Sequence, residues 1–142
     1  MRTTWLAPIQ IAGVSLALIA CRTSVAGHYQ LDLEETKRCV EAAAVANPED
    51  AQMKDGTIKM LAATNLDLEL NEAGKMLSTT IFTLEGTPRT QSRNGTWKLD
   101  GKRVAIAVDG EKDTTCDVDG RRLRCAKPDA LTLFSHYVLV RR

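Results

Sequence analysis

From Thr64 onward the chain is a train of short runs in which apolar and polar residues alternate. Turn residues break the runs, and three breaks are Asp-Gly pairs: Asp100-Gly101, Asp109-Gly110 and Asp119-Gly120. Alternation marks a half-buried strand, because successive side chains point to opposite faces. Leu66, Leu68 and Leu70 set against Asn65, Asp67 and Glu69 are the cleanest case. Asp-Gly supplies the residues that a tight hairpin turn requires. Breaks this short exclude parallel pairing, which needs a crossover of about a dozen residues or more. The later strands read as 75–84, 92–99, 103–108, 114–118, 123–125 and 131–140. Such an antiparallel meander must cover its edges or close on itself.

Ahead of the meander the periodicity is helical. His28-Tyr29-Gln30-Leu31 alternates weakly as a first strand, and Asp32 followed by Glu35 is a capping pattern. Leu33, Thr36, Val40, Ala43 and Ala44 then recur on one face of a helix that stops at Asn47-Pro48, since the residue before proline avoids helical geometry. Proline suits the first turn of a new helix. A second helix over 48–61 is expected, burying Met53, Met60 and Leu61, although Gly56 weakens it. No linker interrupts 28–142. The fold class expected is α+β: an N-terminal helix or helix pair followed by an antiparallel β-meander of seven to eight strands, barrel-like, in one domain.

The start of the chain is of another kind. Arg2 precedes a run from Trp5 to Ala20 that contains no charged residue, about the length of a signal-peptide core and short for a spanning helix. It ends Leu18-Ile19-Ala20-Cys21, which resembles the bacterial lipobox, with Ile in place of the commoner small residue before Ala20. The resemblance implies a signal peptide over 1–20, lipidation of Cys21 and a lipidated tether over 21–27. It also implies that the protein meets the membrane through its N-terminal lipid. Arg22, where aspartate resembles an inner-membrane retention signal, implies an outer-membrane protein facing the periplasm. Ser24-Val25-Ala26 offers a second cleavage site, which would discard Cys21 and leave a soluble periplasmic protein.

Charge excludes some functions and divides the chain. The 142 residues carry a net charge of +1, and 4% are aromatic, which argues against a polybasic nucleic-acid binder and against a base-stacking platform. Once 1–20 are set aside the net charge is zero, yet 22–85 hold six basic and eleven acidic residues while 86–142 hold twelve basic and seven acidic. The halves can complement each other within one fold, or one can face a partner.

Cys116 and Cys125 flank the last Asp-Gly turn. If the loop runs from Asp119 to Arg122, Cys116 lies opposite Cys125 and Val118 opposite Leu123, all on one face, so an oxidising compartment favours a disulfide there. Cys39 is left over, either a small buried apolar residue or a reactive thiol. No metal or cofactor is expected: the cysteines lack further ligands at suitable spacing, and Asp109-Gly110-Glu111-Lys112-Asp113 lacks the length of a calcium loop. No catalytic residue is expected either. His28 and His136 are the two histidines, and His136 and the adjacent Ser135 face opposite sides of a strand.

Leu70-Asn71-Glu72-Ala73-Gly74, Gly95-Thr96-Trp97-Lys98-Leu99-Asp100-Gly101 and the late cysteine hairpin together resemble the lipocalin-like domains of small bacterial lipoproteins. The resemblance implies a barrel-like fold more than an activity, and the Gly-x-Trp segment lies mid-domain here instead of on the first strand. Trp97 is expected to be buried, with ligand stacking as its functional alternative. Arg121, Arg122 and Arg124 form the densest basic cluster and, with Trp97, are the candidate partner-binding residues. The expected function is a non-enzymatic outer-membrane lipoprotein whose periplasmic domain binds an envelope protein partner. Its rivals are an inhibitor or immunity protein for a cell-envelope hydrolase and a carrier of a small apolar ligand. Radiolabelled palmitate is expected to enter the wild-type chain in cells and not Cys21→Ala; equal labelling of both excludes lipidation at Cys21.

Overall fold

The computed structural model describes residues 25–108, 113–126 and 136–142. Among them, β1 (Gly27–Leu31) is followed by α1 (Leu33–Ala46) and α2 (Pro48–Ala62). Seven strands come next: β2 (Asn65–Leu70), β3 (Lys75–Leu84), β4 (Thr87–Asp100), β5 (Arg103–Val108), β6 (Thr114–Asp119), β7 (Arg122–Ala126) and β8 (His136–Arg141). Each strand pairs antiparallel with its chain neighbour, and β8 returns to β1 through Tyr29 opposite Arg141, Gln30 opposite Val140 and Leu31 opposite Leu139. The expected barrel-like meander is therefore a closed eight-stranded antiparallel barrel, predominantly β, with the helix pair inserted after its first strand. Every strand finds both neighbours within Gly27–Arg141.

The helices form where their caps dictate. The Asp32 carboxylate accepts from the Glu35 amide at 3.1 Å, holding one of the four amides that a helix start leaves unpaired. Asn47 serves both helices: its amide donates to the Ala43 carbonyl at 2.9 Å, and its side chain accepts from the Glu49 amide at 3.1 Å. Of the three residues expected inside from α2, Leu61 is buried, but Met53 and Met60 are 54% and 44% exposed. The buried stripe is narrow. Thr57 and Leu61, one turn apart, are the buried residues of α2, and Met60 lies about 100° round the helix from Leu61.

Inside the barrel the alternation holds. Tyr29, Leu68, Leu70, Met76, Val104, Ile106, Leu123 and Leu139 are buried together with Cys116 and Cys125, and Leu31, Leu66, Trp97, Val108, Val118 and Tyr137 pack around them. Eight strands enclose a space just wide enough for side chains to fill. The disulfide joins Cys116 and Cys125 directly across β6 and β7, in the register read from the Asp-Gly turn, with Val118 opposite Leu123. Closing that loop restricts the unfolded chain by about 2–3 kcal/mol.

The two ends of the barrel differ. At one end lie Val25, whose carbonyl accepts from the Tyr29 hydroxyl at 2.6 Å, the β2–β3, β4–β5 and β6–β7 turns, and Arg142. The other end carries the helices and a long β3–β4 hairpin. β3 pairs with β2 as far as Ile81, and β4 meets β5 from Gly95, yet the hairpin stays paired out to Leu84 opposite Thr87. Sequence periodicity places the start of β4 at Ser92, because the polar residues 87–91 do not alternate. Their pairing follows from the two-residue turn Glu85-Gly86, both at positive φ (51° and 76°), which suits a tight hairpin.

Gly95 sets how closely β4 and β5 approach. A Cβ there would stand 2.1 Å from the Ala107 carbonyl oxygen and 3.1 Å from Met76 Cε, so a side chain forces two backbones apart. Gly56, within α2, has nothing within 4 Å of such a Cβ. Urea unfolding is expected to show Gly95→Ala losing about 3 kcal/mol and Gly56→Ala gaining about 0.5–1 kcal/mol from helix propensity. Similar effects of the two would refute the close-approach account.

Candidate binding surfaces of the barrel

The outer face of β7 and β8 is where the acidic helix meets the basic sheet. β1 ends at Leu31, and the chain turns into α1 with the Asp32 amide donating to the Val138 carbonyl at 2.8 Å. The Thr36 hydroxyl, fully buried, accepts from the Val138 amide at 3.0 Å and donates to the Val138 carbonyl at 3.3 Å. This seating brings the first turn of α1 against the outward side chains of β7. Arg122 Nε stands 3.1 Å from Asp32 Oδ2, and Arg124 lies 3.5 Å from Glu35 and 3.4 Å from Asp119. Part of the charge division along the chain is thus answered inside the fold, through two arginines of the candidate cluster.

Arg121 is placed differently. It sits in the tight β6–β7 turn beside Gly120 and points along the barrel end, where its Nη2 donates to the Arg141 carbonyl at 3.0 Å while its own carbonyl accepts from the Arg141 amide at 2.8 Å. Asp119, Gly120, Arg121, Arg122, Val140 and Arg141 line a hollow of about 550 Å³ open to solvent. Trp97 lies three strands away round the barrel and does not join this hollow. It is half-buried, its indole donates to the Asn71 carbonyl at 2.9 Å, and its amide donates to the Gly74 carbonyl at 2.9 Å. Trp97 therefore pins the β2–β3 turn to β4, which accounts for Asn71 and Gly74 within the same motif.

A second open hollow, of about 540 Å³, lies across β1 and β2 and was not singled out by sequence. His28 faces Glu69 there, Gln30 Nε2 donates to the Asp67 carboxylate at 3.0 Å, and Arg142 reaches within 4.0 Å of the same carboxylate. The polar alternation of β2 is visible in sequence. Its pairing with β1 is not, because the helix pair stands between the two strands.

The other expected residues are scattered. Cys39 is half-buried on α1 and carries no disulfide. His136 is exposed at the start of β8. Cys21, Ser135 and the Asp109-Gly110 turn lie outside the described residues. Among the described residues no three His, Cys, Asp or Glu side chains gather as a metal site. No described helix is long and apolar enough to cross a membrane. Compared with known proteins, the chain matches no family model, no curated protein and no solved structure.

Two tyrosines inside the barrel report on its packing. Burial pushes the Tyr137 hydroxyl up to about 12, partly offset by its hydrogen bond with Thr114. Burial also raises Tyr29, partly offset by the charge of Arg141. A phenol whose pKa is higher in the fold than in the unfolded chain contributes fully below the unfolded value and loses that contribution as pH rises through the folded one. Stability is accordingly expected to hold up to pH 10 and fall between pH 10 and about 12, with Tyr137 responsible for a loss on the order of 2 kcal/mol. Denaturant unfolding across that window checks this, and Tyr137→Phe should flatten the profile. An unchanged slope in the variant would exclude Tyr137 as the titrating group.

Proposed function

We propose that the protein is a non-enzymatic outer-membrane lipoprotein, held by lipid on Cys21, whose periplasmic lipocalin-like barrel binds another envelope protein with its outer surface. The observation that carries this reading is the contrast between a barrel core filled with side chains and a hairpin that projects beyond both neighbouring strands. The core favours contact from outside over carriage of an apolar ligand within. Ile81 and Leu84, 39% and 54% exposed, give the projecting hairpin apolar contact groups. The hairpin also lies at the end opposite Val25, so a chain tethered through Cys21 holds it away from the bilayer. Exposed apolar side chains on a projecting element are the kind of group that anchors a protein interface.

A photo-crosslinking residue placed at Leu84 in living cells is expected to capture a defined envelope protein, whereas the same residue at Glu72, on the anchor end, should not capture that protein. Capture of the same protein from both positions, or from neither, overturns the assignment of the hairpin as the contact.

A further inference from the structure

We propose that the anchor end of the barrel makes a second, non-covalent membrane contact, in which the Arg121–Arg141 hollow and the lysines of the neighbouring turns take the phosphates of anionic phospholipid headgroups. The proposal rests on the lipid-anchored reading for the orientation of this end, and on charge and geometry for its chemistry.

The hollow is concave, and its backbone is held. The β6–β7 turn and the end of β8 are tied by the Arg141 amide on the Arg121 carbonyl and by Arg121 Nη2 on the Arg141 carbonyl, which holds the Arg121 guanidinium in place beside the hollow, while the Arg141 guanidinium lies against Gly27. Planar guanidinium groups match phosphate oxygens with paired N–H donors, which a lysine cannot do. One charge in the wall, the Asp119 carboxylate, opposes this attraction, and one further cation, Arg122, adds to it; each has a partner. Asp119 is engaged by Arg124 at 3.4 Å, and Arg122 by Asp32 at 3.1 Å. Arg121 is exposed at the turn.

The same end carries more basic charge. The β4–β5 turn and the strand ends beside it carry Lys98, Lys102 and Arg103 against Asp100, with Arg103 bound to Asp117 at 3.0 Å. Leu99, between the lysines in sequence, is 40% exposed at the same end, an apolar side chain of the kind that settles at a membrane interface. Lys75 lies at the next turn, beside Glu72. The opposite end has the other sign: over Leu33–Ala62 six acidic residues face four basic ones. The molecule is therefore polar along its axis, and its basic pole is the end from which the N-terminal segment leaves.

Tethering makes a weak contact sufficient. A lipid on Cys21 holds the barrel within a few residues of the bilayer, so headgroup binding becomes intramolecular in effect. Each Lys or Arg at an anionic surface raises partition about fivefold, and salt screens the effect.

The test uses the unlipidated mature chain, residues 21–142 with Cys21→Ser, sedimented with vesicles of phosphatidylcholine alone or of phosphatidylcholine with phosphatidylglycerol. Binding to the phosphatidylglycerol vesicles is expected, with release at high salt. Lys98→Gln, Lys102→Gln and Arg121→Gln should each lower partition about fivefold, while Lys54→Gln and Lys59→Gln at the other pole leave it unchanged. Thermal unfolding of each variant establishes that the fold is intact. Equal binding to neutral vesicles, or equal losses from both poles, overturns the proposal. Release by inorganic phosphate where chloride of the same ionic strength has no effect also overturns it, by assigning the hollow to free phosphate. Vesicle binding by a chain that takes up no palmitate in cells would retain this surface and remove the anchor, so the two readings fail separately.

Discussion

Everything in this structure depends on how the last strand meets the first. Direct pairing between β1 and β8 extends over three residues, after which the chain leaves the sheet to form α1. The edge of β8 left by that departure is not abandoned to water. The Asp32 amide and the Thr36 hydroxyl take over the backbone groups of Val138, so the helix start continues the ladder with one main-chain and one side-chain partner. Buried backbone groups without partners cost about 1–3 kcal/mol each. A threonine in the first turn of α1 is thus a component of the sheet. The same seating carries Asp32 and Glu35 to Arg122 and Arg124, so closure and charge matching are one arrangement.

The sequence made the local rules legible and left the long-range ones hidden. Alternation and Asp-Gly pairs located the strands, and the spacing of Cys116 and Cys125 about the final turn gave the register that their disulfide adopts. Capping located α1 through Asp32, and Asn47-Pro48 divided it from α2. What could not be read were features that need two distant segments at once. The continuation of the ladder by Thr36 joins residues 102 positions apart, and nothing in the helical pattern distinguishes Thr36 from the other residues on its face. The length of β4 was hidden because residues 87–91 pair with β3 outside the core, where no burial imposes alternation.

Of the candidate binding residues, the sequence identified the cluster and not its division of labour. Arg121, Arg122 and Arg124 are adjacent in the chain, but alternation across a strand and the turn at Gly120 send them to different surroundings. Arg122 and Arg124 face α1, and Arg121 lies at the barrel end with Arg141. Trp97 follows the same logic. An aromatic in a glycine-flanked motif invites a ligand reading, whereas here its indole fastens a turn.

The pairing of β1 with β8 also has a temporal consequence. A chain synthesised from its N-terminus produces β1 and the helix pair first, and it can lay down β2 to β7 as successive hairpins, each needing only what has just been made. β1 can complete its pairing only when residues 139–141 have emerged. Until then the growing sheet keeps two open edges, and the partner of Thr36 is missing. The order of manufacture thus makes residues 139–141 the clasp of the whole molecule: their loss would remove the means of closing the barrel while leaving most of its strands in place.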